Sequence, residues 1–336
     1  MKKMLAMLLA LVMVLSLAAC ASTPAAETPA AETPASTEET PAAEGKTYTV
    51  GVCQLVQHEA LDAATQGFVD ALKEELGDAV TIDVQNASGD SVNCGTIVNG
   101  FVSKGVDLIM ANATPALTAA VSATADIPIL GTSITAYGVA LDIDDFSGTV
   151  GGNVSGTSDL ADLQAQAQMI LDWFPETKTV GLLFCSAEPN SRYQVDEVRK
   201  ALEAQGVTCE EFAFTDSNDV SSVAQKAADS SDVIYIPTDN TAAANTEAIA
   251  NVLIPAGVPA ICGEEGICRG CGVATLSISY YDLGVTTGKM AAKILKGEAN
   301  ISEMPVEYTD ATPKYNAAVC EQLGITPLDG YEAIEG

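Results

Sequence analysis

Short runs rich in Val, Ile and Thr alternate with longer amphipathic segments through most of the chain, and this alternation constrains the fold most strongly. The pattern predicts strands at residues 80–84 and 106–110, with a helix at residues 60–76 before them. Strands that alternate with helices of this length favour βαβ units, in which parallel strands are covered by helices. The chain is therefore predicted to be an α/β protein.

The alternation starts again after Gly152 and Asn153, with further strands predicted at residues 179–184 and 233–237. Because the same unit occurs twice, we predict two doubly wound, Rossmann-like lobes joined by a hinge. The expected N-terminal lobe comprises residues 47–153 plus about 276–300, and the C-terminal lobe comprises residues 154–275 plus about 301–336.

The N-terminus has the pattern of a secretion signal. Lys2 and Lys3 precede an apolar run at residues 4–19, and small residues stand before Cys20. The run is shorter than the roughly 20 residues that a membrane-spanning helix needs, so it is typical of a signal peptide. We predict a signal peptide at residues 1–19 and a lipid anchor on Cys20, which would hold the protein on the outer face of the cell membrane. The alternative is an ordinary signal peptide followed by an incidental cysteine.

The segment after Cys20 has a biased composition. Residues 21–44 contain only Ala, Ser, Thr, Pro and Glu. Such a segment cannot bury enough apolar surface to fold, and its prolines keep it partly extended. We therefore predict a disordered tether over residues 20–46.

Charge and motifs exclude several classes of function. The formal net charge is −30, which disfavours binding to nucleic acid because phosphate contacts dominate that affinity. The sole histidine, His58, is not accompanied by a Gly-x-Ser-x-Gly nucleophile elbow. The segment from Gly284 to Lys289 lacks the glycine spacing of a phosphate loop, and Met290 stands where Ser or Thr would bind magnesium. We predict a protein that is not an enzyme and needs no cofactor.

Eight cysteines follow Cys20, and three of them are close together in sequence. A structural zinc site would need four ligands in paired spacing, whereas only one Cys-x-x-Cys pair is present. Free thiols are the favoured interpretation, and a local disulfide or a metal site are the alternatives. The eight are Cys53, Cys94, Cys185, Cys209, Cys262, Cys268, Cys271 and Cys320.

Polar segments follow several of the predicted strands. In open α/β sheets ligands bind beyond the carboxyl ends of the strands, so these segments are candidate binding sites, although each is also typical of an ordinary helix cap. Thr114 followed by Pro115 predicts a helix start with the Thr114 hydroxyl as its N-cap. Thr114, Ser158 and Ser191 could hold a carboxylate. Asp239 could balance an ammonium group, because a buried charge requires an opposite partner.

Several short motifs occur in a fixed order between about residues 47 and 328. They are His58…Ala60-Leu61-Asp62, Asn86-Ala87-Ser88-Gly89-Asp90, Ala113-Thr114-Pro115-Ala116, Asn153-Val154-Ser155-Gly156-Thr157-Ser158-Asp159, Glu188…Asn190-Ser191, Thr238-Asp239-Asn240 and Tyr281-Asp282-Leu283-Gly284. This ordered set resembles the tryptophan/tyrosine-type family of ABC transporter substrate-binding proteins, which have the type I periplasmic-binding fold. The chain departs from the family at Glu59, where a proline is usual, in the loosely matching segment at residues 132–137, and most of all at residues 263–272.

The resemblance implies a cleft between two lobes that closes on an amino acid, and it favours an aromatic one: Trp, Tyr or Phe. It also implies an ABC permease and an ATPase as partners. We expect a monomer that contacts the membrane through the lipid anchor and binds no nucleic acid. The alternatives are another small ligand on the same fold (a branched-chain amino acid, sugar, nucleoside or peptide) or an extracellular enzyme. Tyr137, Tyr193 and Tyr280 are candidate wall residues. The full set of expected ligand-binding residues is Leu61, Thr114, Thr132, Ser158, Asp159, Glu188, Asn190, Ser191, Thr238, Asp239 and Asn240.

Overall fold

The computed structural model describes residues 46–335. The predicted signal peptide, the Cys20 anchor and all but the last residue of the predicted tether lie outside the described residues. Between residues 46 and 335, no helix is both long enough and apolar enough to cross a membrane.

Strands and helices alternate through the described part of the chain. The strands are β1 (Tyr48–Gln54), β2 (Val80–Asn86), β3 (Leu108–Asn112), β4 (Ile129–Ile134), β5 (Val154–Ser158), β6 (Thr179–Cys185), β7 (Thr208–Phe214), β8 (Val233–Ile236), β9 (Ala260–Cys262), β10 (Ala274–Ser277), β11 (Glu307–Tyr308), β12 (Thr312–Tyr315) and β13 (Glu332–Ala333). The helices are α1 (Glu59–Leu76), α2 (Ser91–Lys104), α3 (Thr114–Ala123), α4 (Tyr137–Ala140), α5 (Leu163–Trp173), α6 (Pro189–Glu203), α7 (Val220–Ser230), α8 (Asn240–Ala243), α9 (Thr246–Ala256), α10 (Glu265–Cys271), α11 (Tyr280–Lys296) and α12 (Ala317–Leu323).

The strands form two sheets, one in each lobe. The first has the order β11-β5-β4-β3-β1-β2, and the second has the order β13-β12-β10-β9-β8-β6-β7. Neighbouring strands are parallel except for the antiparallel pair β10 and β12. Central strands such as β3 are buried along their whole length, because helices cover both faces of the sheet. The predicted architecture of two doubly wound α/β lobes is confirmed.

The boundary between the lobes differs from the one predicted. Strand β5 (Val154–Ser158) pairs with β4 in the first sheet, and β11 pairs with β5, so both belong to the N-terminal lobe. The prediction assigned them to the C-terminal lobe because the alternation starts again after Gly152 and Asn153. The sequence of β5, Val-Ser-Gly-Thr-Ser, has almost no apolar pattern that would mark it as a strand. Pairing on both sides holds this strand in the sheet. Gly156 can lie against the backbone of Gly131 only because it has no Cβ.

The chain crosses between the two sheets three times, at residues 159–162, 278–279 and 309–311. The N-terminal lobe therefore comprises residues 48–158 and 280–308, and the C-terminal lobe comprises residues 163–277 and 312–335. These three crossings are the connections about which the lobes can move.

Helices α1 and α11 pack closely in the N-terminal lobe through glycines. A Cβ at Gly284 would overlap the carbonyl oxygen of Ala64, and a Cβ at Gly67 would overlap the carbonyl oxygen of Tyr281. The glycines of the segment that superficially resembles a phosphate loop thus lie inside α11 and allow close helix packing. This packing fixes the position of Tyr280, the first residue of α11, at the second crossing.

All eight described cysteines are free thiols. Cys53 and Cys94 lie in the core of the N-terminal lobe, whereas Cys262, Cys268 and Cys271 lie together in the core of the C-terminal lobe. Burial raises the pKa of Cys262 well above its usual range. Within residues 46–335 no group of three or more His, Cys, Asp or Glu side chains is placed to hold a metal ion.

Candidate ligand-binding site between the lobes

A small cavity, here called the central cavity, lies between the lobes at the carboxyl ends of the strands. Its volume is about 10 Å³, whereas one water molecule needs roughly 10–15 Å³. The lobes must therefore separate before an organic ligand can enter. The lining residues are His58, Leu61, Ser133, Thr135, Asp159, Asn190, Thr238, Asp239, Asn240, Ala243, Glu264 and Tyr280.

Two wider openings flank the central cavity. The outer cleft has a volume of about 440 Å³ and is lined by Leu55, Val56 and Pro115 on one lobe and by Glu188 and Asn240 on the other, among other residues. The hinge-side cleft has a volume of about 480 Å³ and shares two lining residues with the central cavity. Both volumes fall within the range typical of small-molecule sites. Because Asn240 lines both the outer cleft and the central cavity, the two spaces adjoin.

The central cavity is acidic. Asp159, Asp239 and Glu264 are all buried there, and among its described lining residues no Lys or Arg is present. Burial raises the pKa of Asp159 to about 6 and that of Glu264 to about 7. Burial, followed by the nearby charge of Glu188, also raises the pKa of Asp239. These shifts show that ionising the site without a counter-charge is costly, so a cationic group would be favoured there.

Both carboxylate oxygens of Asp239 accept hydrogen bonds from backbone amides of its own lobe. Its Oδ1 accepts from the amide of Ala242 at 2.8 Å, and its Oδ2 accepts from the amide of Cys185 at 2.6 Å. The carboxylate thereby caps the short helix α8 and ties it to the end of β6. The sequence suggested that Asp239 balances an ammonium group, whereas the structure has both of its oxygens in these structural bonds.

Glu188 connects two loops of the C-terminal lobe. Its Oε1 accepts from the amide and hydroxyl of Thr241 at 2.9 and 2.8 Å. Its Oε2 accepts from the amide and the side chain of Asn240 at 3.0 and 2.7 Å, and from Nδ2 of Asn190 at 3.2 Å. Glu188 therefore sets the orientation of the two asparagines that line the central cavity.

Three buried polar atoms of the lining have no hydrogen-bond partner among residues 46–335: Asp159 Oδ1, Asn190 Oδ1 and Ser133 Oγ. Their residues are only 5%, 4% and 6% exposed. Ser133 also has a φ of 55°, in the left-handed region that non-glycine residues rarely adopt. Such buried unpartnered groups cost about 1–3 kcal/mol each, so their occurrence together in one cavity indicates a site for a ligand.

The structure brings some of the expected ligand-binding residues together. Those that line the central cavity are Leu61, Asp159, Asn190, Thr238, Asp239 and Asn240, and Glu188 lines the outer cleft. Four others lie outside the lining of both spaces: Thr114, Thr132, Ser158 and Ser191.

The residues outside the lining have structural partners or positions. Ser158 Oγ donates to the carbonyl of Thr135 at 3.0 Å, and Thr132 Oγ1 lies 3.2 Å from Thr157 Oγ1. Thr114 is the first residue of α3, and the cap position before it is occupied by Ala113, so the predicted threonine cap is wrong. Ser191 is buried within α6. The structure therefore places none of the three expected carboxylate-holding residues in the central cavity.

Several lining residues were not in the expected ligand-binding set. His58 Nε2 lies 3.3 Å from Asn240 Oδ1 and so joins the two lobes. Glu264 precedes α10 and accepts from the amide of Gly266 at 2.7 Å. Of the three candidate wall tyrosines, only Tyr280 lines the central cavity. The position of Glu264 and Tyr280 just after strands β9 and β10 is the signal that could have identified them.

Tyr137 and Tyr193 pack against the cores of the two lobes instead. Tyr137 is buried in the core of the N-terminal lobe, where its hydroxyl donates to the carbonyl of Thr157 at 3.2 Å. Tyr193 is half-buried against the core of the C-terminal lobe.

Comparison with known proteins identifies relatives over most of the chain. Residues 49–330 match the family model of ABC transporter substrate binding proteins. A tyrosine-binding protein of Clostridioides difficile (strain R20291) is 32% identical over 283 residues, which cover 82% of this chain and 81% of that protein. The matched family is one of transporter substrate-binding proteins and the relative is a binding protein, which confirms the prediction of a binding protein rather than an enzyme.

Two solved relatives of similar sequence identity differ in how well they superpose on this chain. A domain from Streptococcus pneumoniae in complex with L-Trp is 33% identical, with a TM-score of 0.81 over 86% of this chain and 100% of that one. A substrate binding protein with adhesive properties from Clostridium difficile, in its ligand-free, open structure, is 34% identical, with a TM-score of 0.65 over 86% of this chain and 99% of that one. The arrangement of the lobes described above is thus more similar to the L-Trp complex than to the open structure.

More distant solved structures share the fold alone. Five of them are 13–15% identical, with TM-scores between 0.57 and 0.62, and they include sugar-binding receptors and a transcription regulator. They confirm the predicted type I periplasmic-binding fold.

Proposed function

Since the chain belongs to the family of ABC transporter substrate-binding proteins, we propose that it is the extracytoplasmic receptor of an importer for an aromatic amino acid. The observation that carries this proposal is the central cavity, where buried polar groups without partners converge from both lobes. The similarity to a tyrosine-binding protein and to a domain in complex with L-Trp supports an aromatic ligand.

The two adjoining spaces suit the two ends of such a ligand. The acidic central cavity would hold the amino end, and the outer cleft, with Leu55, Val56 and Pro115 in its wall, would receive the apolar side chain. The alternative ligands are less well matched. Sugar sites use ring stacking on aromatic side chains, whereas among the described lining residues Tyr280 is the one Phe, Trp or Tyr side chain of the central cavity.

Capture would proceed by a shift between open and closed forms. Contacts between the lobes hold the closed form, including the bond from His58 to Asn240 and the ion pair of Glu59 with Arg269. A ligand that contacts both lobes lowers the free energy of the closed form only, so it increases the closed population. We propose that the closed, loaded receptor then docks on an ABC permease, which an ATPase drives.

The N-terminal segment would place the receptor at its working position. We propose that residues 1–19 direct secretion, that Cys20 carries the lipid anchor, and that the segment up to residue 46 spaces the lobes from the membrane. Mass spectrometry of the protein purified from membranes would detect the acyl chains on Cys20. An unmodified Cys20 at the mature N-terminus, or cleavage elsewhere, would contradict this assignment.

Thermal shifts test the ligand. Residues 46–335 form one compact unit, so the chain from Gly45 onwards is the form to screen against the twenty amino acids, several sugars and several nucleosides. A ligand that binds only the folded state stabilises it by about 2.7 kcal/mol at a hundredfold excess over its Kd. A shift with Trp, Tyr or Phe supports the proposal. A shift with a sugar or nucleoside and with no amino acid would overturn the ligand class.

A further inference from the structure

Asp159 is the one acid of the described cavity lining with an oxygen that lacks a partner. Both oxygens of Asp239 accept from backbone amides, and Glu264 accepts from the amides of Gly266 and Ile267. Asp159 Oδ2 accepts from the hydroxyl of Tyr280 at 3.0 Å, which leaves Oδ1 with no partner among residues 46–335. A buried carboxylate oxygen can only accept hydrogen bonds, so this site calls for a donor.

Asn190 supplies a second unpartnered acceptor from the other lobe. Its Nδ2 group donates to Glu188 at 3.2 Å and to the carbonyl of Thr238 at 3.1 Å. These two bonds identify which end of the side-chain amide is the nitrogen. The other end, Oδ1, is an acceptor that has no partner in the described residues. Asn190 lies in α6 of the C-terminal lobe, whereas Asp159 directly follows β5 of the N-terminal lobe.

From this geometry we infer that the ammonium group of the ligand binds between Asp159 Oδ1 and Asn190 Oδ1 and that Tyr280 positions Asp159 for this contact. The inference rests on the proposed amino acid ligand and moves the ammonium partner from Asp239, which the sequence suggested, to Asp159. An ammonium group carries three N–H donors, so it can satisfy acceptors of both lobes at once and thereby favour closure.

The assignment also predicts which end of the ligand dominates recognition. The ammonium group has a buried carboxylate as its partner, but within the described lining the ligand carboxylate has no Lys or Arg to pair with. Loss of the ammonium group should therefore weaken binding more than loss of the carboxylate. The removal of one partner from a buried, hydrogen-bonded charge pair typically weakens binding by about 30-fold or more.

Calorimetry with three probes that differ at one end tests the inference: L-tyrosine, tyramine and 3-(4-hydroxyphenyl)propionate. We expect the propionate, which lacks the ammonium group, to bind at least about 30-fold more weakly than L-tyrosine. Tyramine, which lacks the carboxylate, should show a smaller loss of affinity. Asp159→Asn should bring the affinities for L-tyrosine and the propionate close together. Asp144→Asn, at an exposed aspartate outside the cavity lining, is the matched control and should leave all three affinities unchanged.

Tyr280→Phe tests the positioning role. Since the tyrosine hydroxyl stabilises ionised Asp159, its removal should move the pH midpoint of L-tyrosine binding upwards as well as weaken binding. An unchanged midpoint would mean that Tyr280 is only structural.

The outcomes separate the inference from the proposed function. If L-tyrosine binds and Asp159→Asn retains the wild-type preference for it over the propionate, the ammonium site is wrong while the amino acid receptor stands. If tyramine binds and L-tyrosine does not, the amino acid function is wrong while the ammonium site stands. Binding of the propionate alone would overturn both, as would the absence of binding by these three probes and by the corresponding three probes derived from Trp and from Phe. Asp159→Asn removes a buried charge, so a melting temperature at or above that of the wild type confirms that the variant is folded.

Discussion

The hydroxyl of Tyr280 donates to Oδ2 of Asp159 at 3.0 Å, and this bond joins two of the three crossings between the lobes. Asp159 lies on the first crossing, and Tyr280 begins α11 directly after the second. The group that we propose as the ammonium partner is therefore attached to the segments that connect the lobes. In the proposed mechanism, this arrangement would couple occupation of Asp159 Oδ1 to closure of the cleft.

Ligand affinity should fall at acidic pH. Burial raises the pKa of Asp159 to about 6, and an ammonium group pairs only with the ionised form. Below pH 6 the apparent affinity should therefore fall by up to about tenfold per pH unit, and above pH 7 it should level off. Calorimetry at pH 5, 6, 7 and 8 checks this. Equal affinity at pH 5 and pH 7 would contradict a role for ionised Asp159.

The stability of the ligand-free protein should depend on pH in the opposite sense. Asp159, Asp239 and Glu264 have folded-state pKa values raised above the ordinary ones. Their contribution to stability is fully present below pH 4 and is lost as pH rises through about 6 and 7. Burial lowers the pKa of His58, so its contribution to stability is lost as pH falls below 6.5. This loss at low pH partly offsets the pH dependence that the three acids produce.

Melting temperatures between pH 5 and pH 8 measure this balance. We expect the melting temperature of the wild type to decrease towards pH 8. The decrease should be smaller in Glu264→Gln, because this variant lacks one of the three acids with a raised pKa. Asp144→Asn should behave like the wild type, because that side chain is exposed. A melting temperature that rises towards pH 8 would show that other groups dominate.

The bond between His58 and Asn240 should favour the closed form. His58→Ala removes the 3.3 Å contact, and a hydrogen bond of this kind contributes about 0.5–1.5 kcal/mol, so ligand affinity should decrease about two- to tenfold. Small-angle X-ray scattering should show a larger radius of gyration for the ligand-free variant. Arg269→Gln breaks the exposed ion pair with Glu59 and should have a smaller effect, since exposed pairs contribute about 0–1 kcal/mol.

Gly284→Ala should destabilise the N-terminal lobe. The added methyl group would overlap the backbone of Ala64 across the helix pair, and overpacking of this kind typically costs about 1–3 kcal/mol. Gly95→Ala in α2 is the matched control, because no atom outside the adjacent backbone of its own helix lies within 4 Å of the added Cβ. That change should stabilise the helix by about 0.5–1 kcal/mol. Urea denaturation of the two variants would reveal opposite shifts, and shifts of the same sign would contradict the packing argument.

Thiol titration tests the state of the cysteines. In the native protein from Gly45 onwards, Cys209 should react first because it is the one half-buried thiol among eight, and the other seven are buried. Burial also raises the pKa of Cys209 to about 11, so the reaction should be slow at neutral pH. After unfolding without a reductant, eight thiols should react. Six would instead indicate one disulfide.

The pattern of residue types was sufficient to predict the lobes, since strand and helix periodicity is a local property of the chain. It failed at β5, because the sequence Val-Ser-Gly-Thr-Ser has little apolar character and the strand is defined by its partners β4 and β11. It also failed at Thr114, where the cap is Ala113 with a φ of 87°. Neither feature can be read from neighbouring residues alone.

The sequence by itself determined the fold class, the binding-protein family and the strand-end segments in which the polar groups of the cleft lie. Only the tertiary structure decided which of these groups are available to a ligand. Asp159, Asn190 and Asp239 are similar as sequence features, yet backbone amides occupy both oxygens of Asp239, whereas one acceptor each of Asp159 and Asn190 has no partner in the described chain. The physical reason is that hydrogen bonds between distant segments consume acceptor capacity, and those segments meet only when the chain has folded.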